Sequence, residues 1–159
     1  MDDYEALVAK AFALLSPLPF SNESAAHARV IMKNVLANAD KHVYLYTDSL
    51  PAESEGVLVY DWPDLSAAAE LFLNKDSSTK LSIKVAGDRS ETASAKFVQL
   101  SQNYKDQCSI DWGVGKKGPN FMVSDAGAFR LEYSQAKAIA CANDEDTANK
   151  LRSIYQNKI

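Results

Sequence analysis

Three short segments with the two-residue period of a β-strand each follow a segment with helical period, and this alternation constrains the fold most strongly. The strand-like segments are KHVYLY, LSIKVAG and CSIDW, at residues 41–46, 81–87 and 108–112. Apolar residues recur at helical spacing before each of them, up to residue 38, over 64–73 and over 93–104. Because a helix between two strands returns the chain to the same end of a sheet, this order predicts parallel strands joined by right-handed crossovers.

The C-terminal third adds a hairpin, one more strand and a final helix. NFMVSDAGAFRLEY, residues 120–133, has apolar residues on both sides of the turn Asp125-Ala126-Gly127, whose glycine suits a left-handed position. AKAIACA, residues 136–142, predicts a further strand, and Asn143 or Asp144 is expected to cap the last helix. The predicted fold class is therefore α/β, a single mixed β-sheet flanked by helices, largely parallel except for the hairpin.

The length of 159 residues with 47% apolar content fits one domain, so residues 1–159 are expected to form a single unit. An amphipathic helix is predicted for residues 3–15, within an N-terminal helical extension of residues 1–20. Ser21 and Asn22 are candidate caps for the helix that follows. Residues 47–63 are expected to form a long loop, with room for a short strand, around the apolar patch Val57, Leu58, Val59, Tyr60 and Trp62.

Charge and composition limit the partners and the compartment. A formal charge of −4 argues against coating nucleic acid or an anionic membrane, although a local basic loop could still contact phosphate. The start MDDYEALVAK lacks the parts of a secretory signal, and no apolar run suits a membrane span. Cytoplasmic localisation is predicted, with Cys108 and Cys141 as small buried residues. The scattered histidines and cysteines predict no metal and no cofactor.

Three segments resemble a phospholipase D-type domain. Residues 24–50, SAAHARVIMKNVLANADKHVYLYTDSL, are similar to the family's opening helix and first strand. NFMVSDAGAFRLEY resembles its late hairpin, and CANDEDTANKLRSIY, residues 141–155, resembles its closing strand and helix. The likeness spans residues 24–156 and extends to a bacterial group of small, stand-alone phospholipase D-like domains. It implies a phospholipase D-like half-domain and, since single-domain members usually pair, a homodimer.

The resemblance also implies that the family's catalytic signature is degenerate here. The signature is a histidine, a lysine two positions later and an aspartate five positions after the lysine. Anchored on Asp125, the histidine position falls on Gly118 and the lysine position on Asn120. In the family the histidine attacks phosphorus and the lysine steadies the phosphoryl oxygens, and neither replacement can do this. His27 and His42 belong to the first helix and strand, not to the hairpin.

The loop GVGKKGPN, residues 113–120, contains the candidate phosphate contacts Lys116, Lys117 and Asn120. It lacks the Lys-Ser/Thr pair of a P-loop and no helix follows it, so a solvated turn is favoured over a phosphate cradle. A serine hydrolase is not indicated either, because no sharp strand-to-helix elbow is visible.

Three further features are each compatible with a structural or a binding role. Asp125, at a hairpin turn, is expected to bond its own backbone rather than a ligand. Arg130 and Glu132 share one face of a strand, where they form a surface pair or face the groove that holds phosphate in active relatives. Val57, Leu58, Tyr60 and Trp62 are candidates for an interaction patch, with intramolecular core as the favoured alternative.

Three function hypotheses follow. The preferred one is a non-catalytic binding or regulatory module acting on another protein or on a second copy of itself; an antitoxin or an immunity protein would be such a module. The second is a phosphodiesterase or nuclease of the phospholipase D superfamily. The third is a nucleic-acid binder that does not cleave, which requires salt-dependent binding.

Overall fold

The computed structural model describes residues 2–50, 53–54, 57–88, 95–116, 118–134 and 137–157. Its helices are α1 (Asp3–Ala13), α2 (Ala25–Asn38), α3 (Pro63–Asn74), α4 (Ala95–Asn103) and α5 (Glu145–Tyr155). Its strands are β1 (Phe20–Asn22), β2 (His42–Thr47), β3 (Glu53–Ser54), β4 (Val57–Leu58), β5 (Lys80–Val85), β6 (Cys108–Asp111), β7 (Asn120–Ser124), β8 (Phe129–Ser134) and β9 (Lys137–Cys141). None of the helices in these ranges has the length and apolar character that a membrane crossing requires.

Seven of the described strands form one mixed sheet in the order β1-β9-β8-β7-β2-β5-β6. The pairs β2–β5 and β5–β6 are parallel, as the helical crossovers predict. The other four pairs of this sheet are antiparallel, so the expectation of a largely parallel sheet is wrong. The reason is that the hairpin strand β7 pairs directly with β2. Strands β8, β9 and β1 then follow β7 in order toward that edge of the sheet.

Both faces of the sheet are covered, because alternate residues of the central strands are apolar on both sides. In β2, Val43 and Leu45 face the core under α1, α2, α3 and α4, whereas Tyr44 and Tyr46 face a second core under α5. The first helix packs on α2 and buries Val8 and Phe12, while its Leu7 and the leucines that follow it, Leu14, Leu15 and Leu18, remain exposed. The predicted mixed sheet flanked by helices is confirmed.

Local capping chemistry explains where the elements begin. The side chain of Ser24, rather than Ser21 or Asn22, caps α2, since Phe20–Asn22 pair with β9 as an edge strand. Asp144 caps α5, and Gly127 adopts the left-handed conformation at φ +85° in the hairpin turn, as expected. The long loop of residues 47–63 contains the short hairpin β3–β4 and a 3₁₀ turn at Val59–Asp61.

Candidate functional site

An open cleft of about 480 Å³ lies where β2 ends and β7 begins. The antiparallel register of β2 and β7 brings the residue after β2, Asp48, beside Asn120 at the start of β7. The next pairing places Asn120 opposite Glu132 of β8. The carboxyl ends of parallel strands are a common place for ligand sites in α/β folds. The lining residues are Asp48, Lys116, Gly118, Pro119, Asn120, Glu132, Tyr133 and Ser134.

Lys116 lies under this cleft instead of extending into solvent. Its side chain is 6% exposed, and its Nζ lies 3.0 Å from Asp48 Oδ1. The same Nζ donates to the Gly118 carbonyl at 2.6 Å and lies 5.4 Å from the centre of the Tyr46 ring. The expectation of a solvated turn is therefore wrong at Lys116, whose ammonium group is held by the protein itself.

Arg130 is a second described cation near the cleft, and it is buried. Its Nε donates to Asn22 Oδ1 at 2.6 Å, and its Nη1 lies 3.4 Å from Glu132 Oε2. The predicted pairing of Arg130 with Glu132 on one face is confirmed, but the pair is not on the surface, because the arginine is 4% exposed. The sequence suggested Asn22 only as a helix cap, because no local pattern connects it to a strand more than a hundred residues later.

Asn120 and Gly118 have structural constraints of their own. Asn120 Oδ1 accepts a hydrogen bond from the backbone N–H of Asp48 at 2.9 Å, which fixes the start of the loop after β2. Gly118 has φ +95°, a conformation that residues with a side chain rarely adopt. A histidine at residue 118 would therefore require a different loop backbone.

Asp125 lies at the opposite end of β7, about 17 Å from Asn120 at the rise of a β-strand. Its carboxylate accepts the backbone N–H groups of Asp40 at 3.1 Å and of Lys41 at 2.8 Å. The expectation that it bonds its own turn is wrong, because Ser124 Oγ accepts the N–H groups within that turn. Asp125 ties the hairpin to the loop before β2 and does not line the cleft.

Both histidines also lie outside the lining of the cleft. His42 is at the start of β2, where its Nε2 lies 2.8 Å from Ser82 Oγ and its ring stacks on Tyr44 at 3.9 Å. His27, on the first turn of α2, stacks on Tyr4 at 3.6 Å. Burial lowers the pKa of His42 below its usual range, an effect that the nearby Asp125 partly opposes.

We expect His42 to make the protein less stable as the pH falls below 6.5, the ordinary histidine pKa. Because the pKa is lowered in the folded state, the unfolded chain binds the proton first, so stability present above pH 6.5 is lost on acidification. Urea denaturation from pH 7.5 to 5 measures the slope, which His42→Phe should reduce while the stacking on Tyr44 remains. An unchanged slope in this variant would assign the effect to other groups.

The apolar patch predicted between β2 and α3 is largely internal where it is described. Val59 and Tyr60 are buried in the main core, and Trp62 packs against it with the guanidinium of Arg29 4.6 Å from the centre of its ring. The buried Tyr60 fits the intramolecular alternative. The side chains of Val57 and Leu58 lie outside the described part of the chain, as does Lys117. Within the described residues, no three His, Cys, Asp or Glu side chains form a group that could hold a metal.

Solved structures resemble the chain over most of its length. TrmBL2, an archaeal chromatin protein whose structure "shows a novel mode of DNA binding", has 10% identity and a TM-score of 0.60 over 96% of this chain and 56% of its own. NucT from Helicobacter pylori has 13% identity and a TM-score of 0.60 over 88% of this chain and 94% of its own. Phosphatidylserine synthase from Haemophilus influenzae Rd KW20 has 10% identity and a TM-score of 0.55 over 95% of this chain and 40% of its own.

The chain has a phospholipase D-like fold. No protein-family model matches the chain, and no curated protein is significantly similar to it in sequence. The chain spans only about half the length of TrmBL2 and less of the synthase, so each of those proteins contains more than this phospholipase D-like unit. At these identities the likeness shows the fold alone.

Proposed function

We propose that this phospholipase D-like chain is a non-catalytic module that acts by binding another protein. The observation that carries the proposal is the chemistry of the cleft. Its described lining offers no imidazole, and the positions aligned with the family's histidine and lysine are Gly118 and Asn120. Without a nucleophile that can form a bond to phosphorus, the family's covalent step has no starting point among the described residues of the cleft.

The electrostatics of the cleft also favour this proposal over phosphodiester chemistry. Lys116 is neutralised by Asp48, and Arg130 by Glu132. A phosphodiester would have to displace these carboxylates or bind beside them at a cost in repulsion. The net charge of −4 over the whole chain acts in the same direction. An inhibitor such as an antitoxin or an immunity protein is one specific form of this proposal. We propose separately that the chain pairs with a second copy of itself.

We expect the purified protein to show no turnover of bis(p-nitrophenyl) phosphate or single-stranded DNA, with or without divalent metal ions. The physical reason is that no described side chain of the cleft can act as the family's nucleophile. Initial rates of the wild type are compared with those of Asp48→Asn, in the cleft, and Asp64→Asn, an exposed residue of α3. Turnover by the wild type that Asp48→Asn reduces and Asp64→Asn leaves intact would contradict the proposal.

Binding of nucleic acid without cleavage is the second candidate, because TrmBL2 shares the fold and is described as binding DNA. In that case fluorescence anisotropy with a labelled oligonucleotide would give an affinity that falls steeply with salt. Lys116→Ala and Lys117→Ala would each weaken it. If salt-dependent binding is absent while affinity purification from the native host recovers a protein that binds the purified chain directly, protein binding is the better account.

A further inference from the structure

We infer that the cleft at the end of β2 receives a basic side chain, an arginine or a lysine, from the partner protein. This inference rests on the proposed function, and it adds the chemistry by which the partner is recognised. It reverses the preference of a phosphate-binding site, since the ligand would be a cation. The charge of the preferred ligand depends on which charged groups face solvent in the cleft and which are enclosed by the protein.

The two cations that the structure describes near the cleft are enclosed. The side chains of Lys116 and Arg130 are 6% and 5% exposed, and each donates to a neutral acceptor besides its acid, the Gly118 carbonyl and Asn22 Oδ1 respectively. An anion entering from solvent would therefore meet ammonium and guanidinium groups that are already bonded and covered.

Among the described residues at the cleft, the two carboxylates are the accessible charges. The side chain of Asp48 is 70% exposed and that of Glu132 is 24% exposed, and both line the cleft. Asp48 pairs with Lys116 through Oδ1. Glu132 pairs with Arg130 through Oε2, at the longer distance of 3.4 Å. Their second oxygens can accept hydrogen bonds from a guanidinium or ammonium group, which makes strong charge-assisted bonds to carboxylates.

An aromatic side chain completes the chemistry. Tyr133 also lines the cleft and is 60% exposed, which is unusual for a side chain of this size. A cation held over an exposed tyrosine ring gains a cation–π attraction in addition to its ion pairs. The cleft volume of about 480 Å³ is ample for one long basic side chain and part of the backbone that carries it.

The charge of the whole chain supports the same kind of partner. At a net charge of −4, long-range electrostatics speed the approach of basic proteins and slow that of nucleic acid. Lys117 adjoins the cleft in sequence and lies outside the described residues, so its contribution is measured directly by a Lys117→Ala variant in the experiment below.

The experiment is a ¹H–¹⁵N NMR titration of the protein with N-acetyl-arginine amide, followed by a short tetra-arginine peptide. We expect saturable shifts concentrated at the amides of residues 48, 118, 120 and 132–134 and weakened by added salt. Asp48→Asn and Tyr133→Ala should each weaken binding about two- to fivefold. Asp64→Asn removes an equal charge from the α2–α3 surface and should leave the affinity unchanged. Lys117→Ala should strengthen binding or leave it unchanged.

Two results would overturn the inference: no saturable shift in the cleft at tens of millimolar probe, or cleft shifts produced by inorganic phosphate or oligothymidylate instead and lost in Lys117→Ala. Each variant is first checked for a wild-type pattern of amide signals away from the cleft, so that loss of folding is not read as loss of binding. Failure of this titration is distinct from failure of the proposed function, which the turnover assay decides separately.

Discussion

Replacing Arg130 by methionine is expected to lower the free energy of unfolding by about 3 kcal/mol. The change removes a buried guanidinium that donates to Asn22 and pairs with Glu132. Asn22 is fully buried, so its side-chain oxygen would lose a partner that water cannot replace. Glu132 is partly exposed, so solvent can stabilise its carboxylate once the arginine is gone. The expected loss of stability is therefore at the lower end of the range for breaking a buried ion pair.

Urea denaturation monitored by circular dichroism measures this loss, with two informative companions. Arg130→Met combined with Glu132→Gln should recover part of the stability, because the unpaired carboxylate is gone. Lys10→Met removes an exposed cation from α1 and should change the stability by no more than about 0.5 kcal/mol. A loss below about 1 kcal/mol for Arg130→Met would mean that Arg130 is not the link between β1 and β8 that its contacts indicate.

Replacing Asp125 by alanine is expected to lower the free energy of unfolding by about 2 kcal/mol. The change removes the acceptor of two backbone N–H groups, those of Asp40 and Lys41, which join the hairpin to the loop before β2. A hydrogen bond to a charged acceptor stabilises the fold more than a bond between neutral groups. Because this loop is partly exposed, the two bonds together contribute less than they would in the interior. Asp125→Asn keeps one acceptor oxygen and should lose about half as much.

Chemical denaturation again provides the measurement, and Asp40→Ala, which removes a neighbouring exposed carboxylate, provides the control. Because Asp125 lies at the far end of β7, its substitution should leave arginine binding in the cleft unchanged. Loss of that binding in a folded Asp125→Ala protein would contradict the separation of the two ends. Asp125, which the resemblance aligns with the aspartate of the phospholipase D signature, is thus expected to stabilise the hairpin, a role that its position in the sequence does not reveal.

The comparison of Asp125 with Lys116 shows which site properties are readable from sequence. Both were candidates because of residue type and position within the hairpin region. The register of β7 against β2 places one of them at each end of the sheet. Register depends on pairing between segments about eighty residues apart, so local periodicity contains no information about it. The pairing of Asn22 with Arg130 also depends on distant segments. In addition, β1 has only three residues, too few to show the period of a strand.

The amino-acid sequence by itself determined the class of the fold, the identity of most elements, the left-handed turn at Gly127 and the absence of a histidine from the hairpin. These are local properties, set by apolar spacing, capping side chains and residue type. Only the tertiary structure decided that the sheet is mainly antiparallel, that Arg130 and Lys116 are covered, and that Asp48 and Glu132 face solvent together. The exposure of a side chain and its ion pairs depend on which distant segments of the chain are in contact. In this fold those contacts are set by the pairing of β7 with β2 and by the strands and helices that pack around this pair.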